Sequence, residues 1–238
     1  MHNLIPGNCL ELLKDIPEQS IDFICIDPPY GTTKCKWDIV LPFEPMWEQI
    51  TRIRKPKGAV AIFGTEPFSS LLRVSNLKEF KYDWVWDKVT ARGHLVAKKR
   101  PMQQTELISI FYTHDYYPQM IDRPPEKIRK TKEYARTEIM GGLSDKAIRT
   151  YDQWYPKNLI QFSNAGSSNT SEHPTQKPLP LLEYLIKTYT QPGDTVLDFV
   201  MGSGTTGVAA KRLGREFIGM ELDKKYFEIA KRRIGDGT

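Results

Sequence analysis

The chain has 238 residues and a formal net charge of +5, and 39% of its residues are hydrophobic and 26% are charged. This composition is typical of a globular protein with one sizeable core, and no apolar run is long enough to predict a membrane span, so we expect no membrane partner. The amino terminus lacks a signal-peptide pattern and the three cysteines form no CxxC pair. We therefore expect a cytoplasmic protein with free thiols and no metal site.

Predicted helices and strands alternate along the first half of the chain. Apolar periodicity and turn residues predict helices over residues 8–15, 45–54 and 67–76, and strands over residues 21–26, 58–63, 80–86 and 106–112. The strand over residues 21–26 is almost entirely apolar, which is typical of a strand buried on both faces of a parallel sheet. It ends at Asp27-Pro28-Pro29-Tyr30, where two prolines interrupt strand hydrogen bonding.

The second half of the chain begins irregularly and then returns to this alternation. Residues 114–172 contain prolines, charges and tyrosines without sustained periodicity, so we expect an irregular insertion or small subdomain there. Beyond it, the pattern predicts helices over residues 180–190, up to Leu213 and over residues 223–234, and strands over residues 195–199 and 216–221. Strands that alternate with helices predict an α/β fold with a doubly wound sheet.

The turn after the strand at residues 195–199 carries the glycines of a nucleotide site. Gly202, Gly204 and Gly207 match the spacing GxGxxG between a predicted strand and a predicted helix, and Glu221 ends the next strand. Glycines let the backbone approach a ligand, the helix N-terminus presents free N–H groups, and the acid can accept ribose hydroxyls. The sequence therefore predicts a pocket for a cofactor that contains adenosine.

The position of this turn in the chain predicts how the sheet is completed. Too little chain follows Gly207 to supply the remaining strands of a dinucleotide-binding module, so earlier strands must complete the sheet. The strand over residues 21–26 is its natural parallel neighbour. Because ligands bind at the carboxyl ends of such strands, we expect Asp27-Pro28-Pro29-Tyr30 to lie against the cofactor pocket.

The tetrapeptide from Asp27 to Tyr30 suits a planar substrate that carries an amino group. The Asp27 carboxylate and the Pro28 carbonyl could each accept one proton of an exocyclic amine, which would direct the nitrogen lone pair toward a methyl sulfonium. Tyr30 offers a ring face on which an extruded base could stack. Catalysis would then depend mainly on proximity and alignment. The alternative is a plain strand-ending turn with a solvated carboxylate.

The order of these two motifs resembles the amino-methyltransferases of DNA in the permuted arrangement called the β group, in which the base-handling motif precedes the cofactor motif. The resemblance implies a circularly permuted, Rossmann-like methyltransferase sheet that uses S-adenosyl-L-methionine to methylate the N6 of adenine in double-stranded DNA. It assigns the catalytic motif to Asp27, Pro28, Pro29 and Tyr30. Lys99-Arg100-Pro101 and Glu106 are similar to a further block near the base pocket.

The resemblance also implies which residues bind the cofactor. They are Asn8, Asp27, Thr175, Lys177, Asp198, Phe199, Gly202, Ser203, Gly204, Thr205, Thr206 and Glu221. Asn8 stands where the family often has an aspartate that contacts the adenine, and Thr175 and Lys177 would lie near the methionine carboxylate. Phe199 could equally serve only as core packing.

The resemblance divides the chain into three regions. Residues 1–113 form the catalytic half, residues 114–172 a target recognition region, and residues 173–238 the cofactor-binding half. DNA contacts are expected at Lys98, Lys99, Arg100, Arg129 and Lys130, with phosphates as the main acceptors. A homodimer and a cognate restriction endonuclease are the protein partners that the family suggests.

Three other functions stay open on the sequence alone. A serine more often stands at the position of Asp27 in cytosine-N4 enzymes, so adenine is favoured over cytosine without excluding it. A nicotinamide-dependent oxidoreductase would share the glycine turn, but no proton donor is evident near a substrate site. An inactive DNA-binding homologue would not need Asp27, Tyr30 and the glycine turn together.

Overall fold

The structure, a computed structural model, describes residues 2–31, 38–130, 150–163 and 176–237. The chain divides into two units, a larger one formed by Met1–Tyr117 and Asn158–Thr238 and a smaller one formed by Pro118–Lys157. Within the described ranges, every helix is too short or too polar to cross a bilayer.

An eight-stranded sheet organises the larger unit. In chain order, the strands of both units among the described residues are β1 (His2–Pro6), β2 (Ile21–Ile26), β3 (Arg54–Gly64), β4 (Phe80–Arg92), β5 (Gln103–Phe111), β6 (Ile121–Asp122), β7 (Arg129–Lys130), β8 (Thr150–Tyr151), β9 (Gln153–Trp154), β10 (Leu159–Gln161), β11 (Thr195–Asp198) and β12 (Glu216–Glu221). The sheet has the order β1-β12-β11-β2-β3-β5-β4-β10. Only β5 runs antiparallel to its neighbours in this sheet.

Helices cover both faces of the sheet. They are α1 (Cys9–Leu12), α2 (Phe43–Ile53), α3 (Phe68–Ser75), α4 (Leu179–Tyr189), α5 (Thr205–Arg212) and α6 (Lys224–Asp236), with short 3-10 turns at Leu13–Asp15, His94–Val96 and Pro125–Lys127. Successive side chains of a strand point to opposite faces. Phe23 and Cys25 of β2 therefore pack in the core beneath α4, α5 and α6, and Ile24 and Ile26 pack beneath α1, α2 and α3.

The predicted doubly wound α/β sheet is confirmed, and so is its central pairing. Strand β2 runs parallel to β11, with Phe23 opposite Val196 and Ile24 opposite Leu197. The carboxyl ends of the two strands therefore meet at one edge of the sheet. This pairing joins chain from the beginning of the sequence to chain near its end.

Two edge strands differ from the prediction. Strand β1 was not predicted, because its residues are half-buried or exposed and show no apolar run, and it pairs with β12 at one margin. Strand β10 lies in the region predicted to be irregular, yet it pairs with β4 at the other margin. Three residues are too few for sequence periodicity to reveal a strand.

The smaller unit contains two short antiparallel ladders among its described residues. Strand β6 pairs with β9, and β7 pairs with β8. The guanidinium of Arg123 lies 5.4 Å from the centre of the Trp154 ring and the ammonium of Lys127 lies 5.8 Å from it. Cation–π contacts of this kind hold basic side chains around one aromatic residue.

Close packing of α5 yields a stability prediction. A Cβ added at Gly207 would meet Ile234 and would lie 2.6 Å from Cε1 of Phe217. We expect Gly207→Ala to lower the free energy of unfolding by about 1–3 kcal/mol, as overpacking of a core does. Urea denaturation of the ligand-free chain measures the change.

Gly235 provides the matched control for this substitution. It lies on α6, and a Cβ there would meet nothing within 4 Å. Gly235→Ala should be neutral or stabilising, because alanine loses less conformational entropy than glycine in a helix. Equal stabilities of the two variants would contradict the close packing at Gly207.

Candidate functional site

Two stretches that are distant in sequence come together at the carboxyl edge of the sheet. Asp27 follows β2 and the glycine turn follows β11, and the segment before α4 bridges them. Oε1 of Gln176 lies 3.5 Å from Oγ of Ser203, and Nζ of the next residue, Lys177, lies 2.7 Å from Oδ2 of Asp27. The expected meeting of the Asp27 motif with the glycine turn is therefore present in the structure.

Four charged side chains form a buried network at this point. Nζ of Lys177 lies 2.7 Å from Oδ2 of Asp27 and 2.9 Å from Oε1 of Glu106, and Nζ of Lys88 lies 2.6 Å from Oε2 of Glu106. The Tyr30 hydroxyl lies 2.5 Å from Oδ1 of Asp27 and 3.0 Å from Oε1 of Glu106. Side-chain exposure is 29% for Asp27 but only 5% for Glu106, so Asp27 is the carboxylate that a ligand can reach.

Burial and charge pull the pKa values of these groups in opposite directions. Burial raises the pKa of Asp27, and the attraction of Lys177 only partly opposes this rise. For Glu106, burial also acts upward, but Lys177 and Lys88 outweigh it and hold the pKa of this carboxyl below its usual range. Burial alone would lower the pKa of the Lys177 ammonium, yet Asp27 and Glu106 raise it, so Lys177 stays charged.

The glycine turn has the backbone shape that a nucleotide-binding loop needs. Gly202 and Gly204 both adopt positive φ values, +54° and +79°, which other residues rarely adopt, and Gly204 caps the N-terminus of α5. The Asp198 carboxylate accepts hydrogen bonds from Oγ1 of Thr206 at 2.6 Å and from the Val200 N–H at 3.1 Å. Burial raises the pKa of Asp198 to about 7. Asp198 thus holds the turn against the helix.

Glu221 and Asn8 lie beside the turn at the same edge. The Glu221 carboxylate accepts the N–H of Gly202 at 2.9 Å and that of Asp223 at 2.8 Å, and burial raises its pKa. Each carboxylate oxygen can accept a second donor, so these bonds leave capacity for ribose hydroxyls. Asn8 caps the N-terminus of α1, and its Oδ1 atom accepts a hydrogen bond from the Leu10 N–H at 3.1 Å. The preceding residue, Gly7, donates its N–H to the backbone carbonyl of Glu221.

The other predicted cofactor residues differ in how they are placed. Ser203 and Thr205 are buried, and Nη1 of Arg233 on α6 lies 3.0 Å and 3.2 Å from their hydroxyls. Phe199 is 1% exposed and packs in the core with Leu197 and Met220, which supports the interpretation of this side chain as core packing. Thr175 lies outside the described residues.

The predicted DNA-contacting residues are all exposed. Lys98, Lys99 and Arg100 lie in the loop after β4, at the same edge of the sheet as Asp27, because β4 runs parallel to β3. Arg129 and Lys130 form β7 of the smaller unit. Lys88, on β4, is not an exposed cation of this kind, since its side chain is only 12% exposed and its Nζ lies 2.6 Å from Oε2 of Glu106.

Sequence reasoning missed the depth and partners of several groups. Glu106 is the centre of the network, Lys88 is its second counterion, and Arg233 donates to the Ser203 carbonyl at 2.7 Å. The available signal was a charged residue inside an apolar strand pattern, since Glu106 precedes the buried run of β5. Such a residue is rarely buried unless it is paired.

Comparisons with known proteins agree with this geometry. The sequence matches a family model described as DNA methylase over residues 21–232. The Type II methyltransferase M.HpaI of Haemophilus parainfluenzae is 31% identical over 246 residues, which cover 97% of this chain and 73% of that protein. The Type II methyltransferase M2.LlaDCHI of Lactococcus lactis subsp. cremoris is 29% identical over 260 residues, which cover 99% and 90%.

Solved structures show the same fold. A structure of an M1.HpyAVI–SAM complex matches with a TM-score of 0.66 and 26% identity, and the match covers 98% of this chain and 99% of that one. The PvuII DNA methyltransferase, described as cytosine-N4-specific, matches with a TM-score of 0.70 and 19% identity over 99% and 90% of the two chains. At that identity, the likeness to the PvuII enzyme concerns the fold alone.

The buried network predicts a pH-dependent loss of stability on removal of its central cation. Lys177→Met leaves the two carboxylates facing each other, and we expect it to lower the free energy of unfolding near pH 7.5 by about 3 kcal/mol, the low end for breaking a buried ion pair. The pKa of Asp27, already raised, should rise further. Protonation then relieves the repulsion, so the deficit should shrink as the pH falls toward 5, which urea denaturation at several pH values measures.

Lys55→Met is the matched control for this prediction. Lys55 lies 2.7 Å from Asp22, but its side chain is 43% exposed, and such pairs contribute about 1 kcal/mol or less. The proposed charge balance of the network would be wrong if Lys177→Met lowered the free energy of unfolding only as much as Lys55→Met does. It would also be wrong if the loss for Lys177→Met did not change with pH.

Proposed function

Because this chain belongs to the DNA methylase family, we propose that it transfers a methyl group from S-adenosylmethionine to the N6 amino group of adenine in double-stranded DNA. The observation that carries the proposal is the bridge from the glycine turn through Gln176 and Lys177 to Asp27. It sets a cofactor turn beside a carboxylate that can hold an amine. Proximity of this kind can supply most of the barrier reduction in a displacement.

The residues at the cofactor edge fit the proposed cofactor. Gly202 and Gly204 let the backbone of the turn approach a ligand, Glu221 has acceptor capacity for ribose hydroxyls, and Asn8 caps α1 just after the end of β1. When bound, S-adenosylmethionine supplies a methyl group on a positively charged sulfur. The SAM complex of M1.HpyAVI, which shares the fold, supports this choice.

Lys177 can take its expected role near the methionine carboxylate only in part. An ammonium has three N–H donors, and two of them point to Asp27 and Glu106. The third would have to reach the cofactor, with Thr175 as its expected companion. Asp198 and Thr206 would act by holding the turn, and Ser203 and Thr205 by joining it to Arg233.

Asp27 and Pro28 are proposed to hold the amino group of the target base. The Asp27 carboxylate would accept a hydrogen bond from one amino N–H and the Pro28 carbonyl from the other, so that the nitrogen lone pair faces the methyl group. As the nitrogen–methyl bond forms, the bond from the methyl group to sulfur would break, and Asp27 would take up the proton that the amino group loses. The base must leave the duplex to reach this site, and the ring of Tyr30 would stack on it. Pro29 keeps the backbone of the motif rigid.

Adenine is proposed as the target base because an aspartate begins the motif. We propose that Lys98, Lys99 and Arg100, together with Arg129 and Lys130, contact DNA phosphates, and that residues 114–172 contain the target recognition region between the catalytic half (1–113) and the cofactor-binding half (173–238). The named relatives are Type II methyltransferases, so a restriction endonuclease of the same specificity is a proposed partner, and a homodimer is proposed as well.

Replacement of Asp27 tests the proposed chemistry. We expect Asp27→Asn to lower the rate of tritiated methyl transfer from S-adenosylmethionine to unmethylated DNA about 100-fold or more, because the amide cannot take up a proton. Digestion of the product to nucleosides should place the tritium in N6-methyladenine. Tritium in N4-methylcytosine would overturn the assignment of the base and leave the methyltransferase assignment intact.

Asp115→Asn makes the same chemical change on the surface. Asp115 is about half exposed and lies 3.3 Å from the exposed Lys57, so this variant should methylate at the unchanged rate. If the Asp27→Asn protein binds S-adenosylmethionine and still methylates at the rate of the Asp115→Asn control, the proposed mechanism is wrong.

Neutralising the exposed cations after β4 tests the proposed DNA contacts. The combined change of Lys98, Lys99 and Arg100 to Gln should weaken binding to all DNA sequences alike. It should also make the negative slope of log K against log salt shallower by about 2–3, since each phosphate contact contributes about 0.9 to its magnitude. Fluorescence anisotropy of labelled duplexes at several salt concentrations measures both.

The control removes three positive charges from the opposite edge of the sheet. Lys57, Lys78 and Lys81 are exposed and lie near the amino ends of β3 and β4. Their change to Gln should alter the slope less. A loss of affinity limited to one DNA sequence in the first triple variant would show base readout instead of phosphate contact.

A further inference from the structure

Glu106 is the most connected member of the buried network and also the least exposed. Its Oε1 atom lies 2.9 Å from Lys177 and 3.0 Å from the Tyr30 hydroxyl, and its Oε2 atom lies 2.6 Å from Lys88. The side chain is 5% exposed and lies behind Asp27, which is 29% exposed. Glu106 therefore contacts both groups that contact Asp27, from a place that a base amine does not reach.

Both oxygens of Asp27 already have an internal partner. The Lys177 ammonium donates to Oδ2 and the Tyr30 hydroxyl donates to Oδ1. Each carboxylate oxygen can accept about two hydrogen bonds, so each keeps one acceptor position for an amino group. The directions of these remaining lone pairs depend on where Lys177 and Tyr30 stand.

The position of Lys177 depends in turn on Glu106. An ammonium beside a single carboxylate can bind both of its oxygens, whereas Lys177 is shared between two carboxylates. Glu106 also offers the Tyr30 hydroxyl a second acceptor. The ring centres of Phe63 and Trp86 lie 5.0 Å and 6.0 Å from Nζ of Lys177. These rings pack beside the ammonium and restrict its alternative positions.

We propose that Glu106 is a positioning residue for methyl transfer, which holds Lys177 at one oxygen of Asp27 and Tyr30 at the other and so presents the remaining lone pairs of Asp27 to the amino group of the base. The inference rests on the proposed function of Asp27. Lys88 is the counterion that lets Glu106 stay ionised in this buried place.

The charge on Glu106 also has a predictable effect on Asp27. In the intact network two carboxylates face two ammonium groups, and the charges cancel. Glu106→Gln removes one negative charge and leaves Lys177 with Asp27 as its only anion. The pKa of Asp27 should then fall, because an uncompensated cation favours the ionised carboxylate.

Two substitutions separate the charge of Glu106 from its position. Glu106→Gln keeps the shape and removes the charge, whereas Glu106→Asp keeps the charge on a side chain one methylene shorter, which cannot hold Lys177 and Lys88 at the same distances. We expect both to lower the single-turnover rate of methylation about 10–100-fold, as misplacement of a reacting group does. S-adenosylmethionine affinity, measured by calorimetry, should fall far less than the rate in both, because Lys177 makes only one of the proposed cofactor contacts.

A titration of the ligand-free chain gives a readout that does not depend on activity. Carbon-13 NMR of aspartate carboxyls, with Asp27 assigned from the Asp27→Asn spectrum, should show a lower pKa for Asp27 in Glu106→Gln and a pKa close to that of the unchanged chain in Glu106→Asp. A purely structural role of Glu106 would give two variants that lose folded protein and cofactor affinity together.

The outcomes of this experiment are distinct. A wild-type rate in Glu106→Gln, or a loss that follows cofactor affinity or the folded fraction, overturns the role of Glu106. If the Glu106→Gln chain does not fold, Lys88→Met/Glu106→Gln, in which Asp27 and Lys177 balance, is measured in its place, with the methylation rate, the cofactor affinity and the folded fraction as the criteria. If the unchanged chain methylates no DNA, the proposed function itself fails and this inference fails with it.

Discussion

The parallel pairing of β2 with β11 is the constraint on which the site depends. It sets the Asp27 motif and the glycine turn at neighbouring strand ends, although they are separated by most of the chain. Since the proposed chemistry needs only that the two strand ends lie side by side, the order of the strands along the chain is free to vary. A permuted chain can therefore build the same site. The register of β2 against β11 matters more than the length of the chain segment that connects them.

The second requirement of the site is electrostatic. Burial of one carboxylate alone would raise its pKa and favour the protonated form. Here Asp27 is partly buried and Glu106 is buried beside Lys177 and Lys88, and the four charges cancel. The opposite directions of the pKa changes follow from position. Burial raises the pKa of both carboxyls, but the two ammonium groups beside Glu106 outweigh it and lower the pKa of Glu106, whereas Asp27, with one ammonium and a neighbouring carboxylate, keeps a raised pKa.

The strands that build this site could be predicted from sequence because each is a nearly unbroken apolar run that ends in an informative turn. β2 and β12 appear with the predicted bounds, and the pairing of β2 with β11 followed from topology alone. The edge strands β1 and β10 could not be predicted, since half-exposed strands of three to five residues leave no clear period. The carboxylates that pair with Lys88 and Lys177 could not be predicted from sequence either. Neither lysine stands in an apolar run that would indicate burial, as Glu106 does, and the contact of Lys177 with Asp27 joins residues 150 positions apart.

The cofactor edge shows why a pocket of this kind can keep its shape without a ligand. Asp198 is engaged by Thr206 and Val200, and Glu221 by the N–H groups of Gly202 and Asp223, so each acid that a nucleotide would use or approach already holds backbone in place. Such acids cannot be exchanged without loosening the turn itself. Affinity and stability are therefore coupled at this edge. A ligand that binds the preformed turn stabilises the folded chain by an amount that grows with the logarithm of its free concentration relative to its Kd, and a change that loosens the turn weakens both.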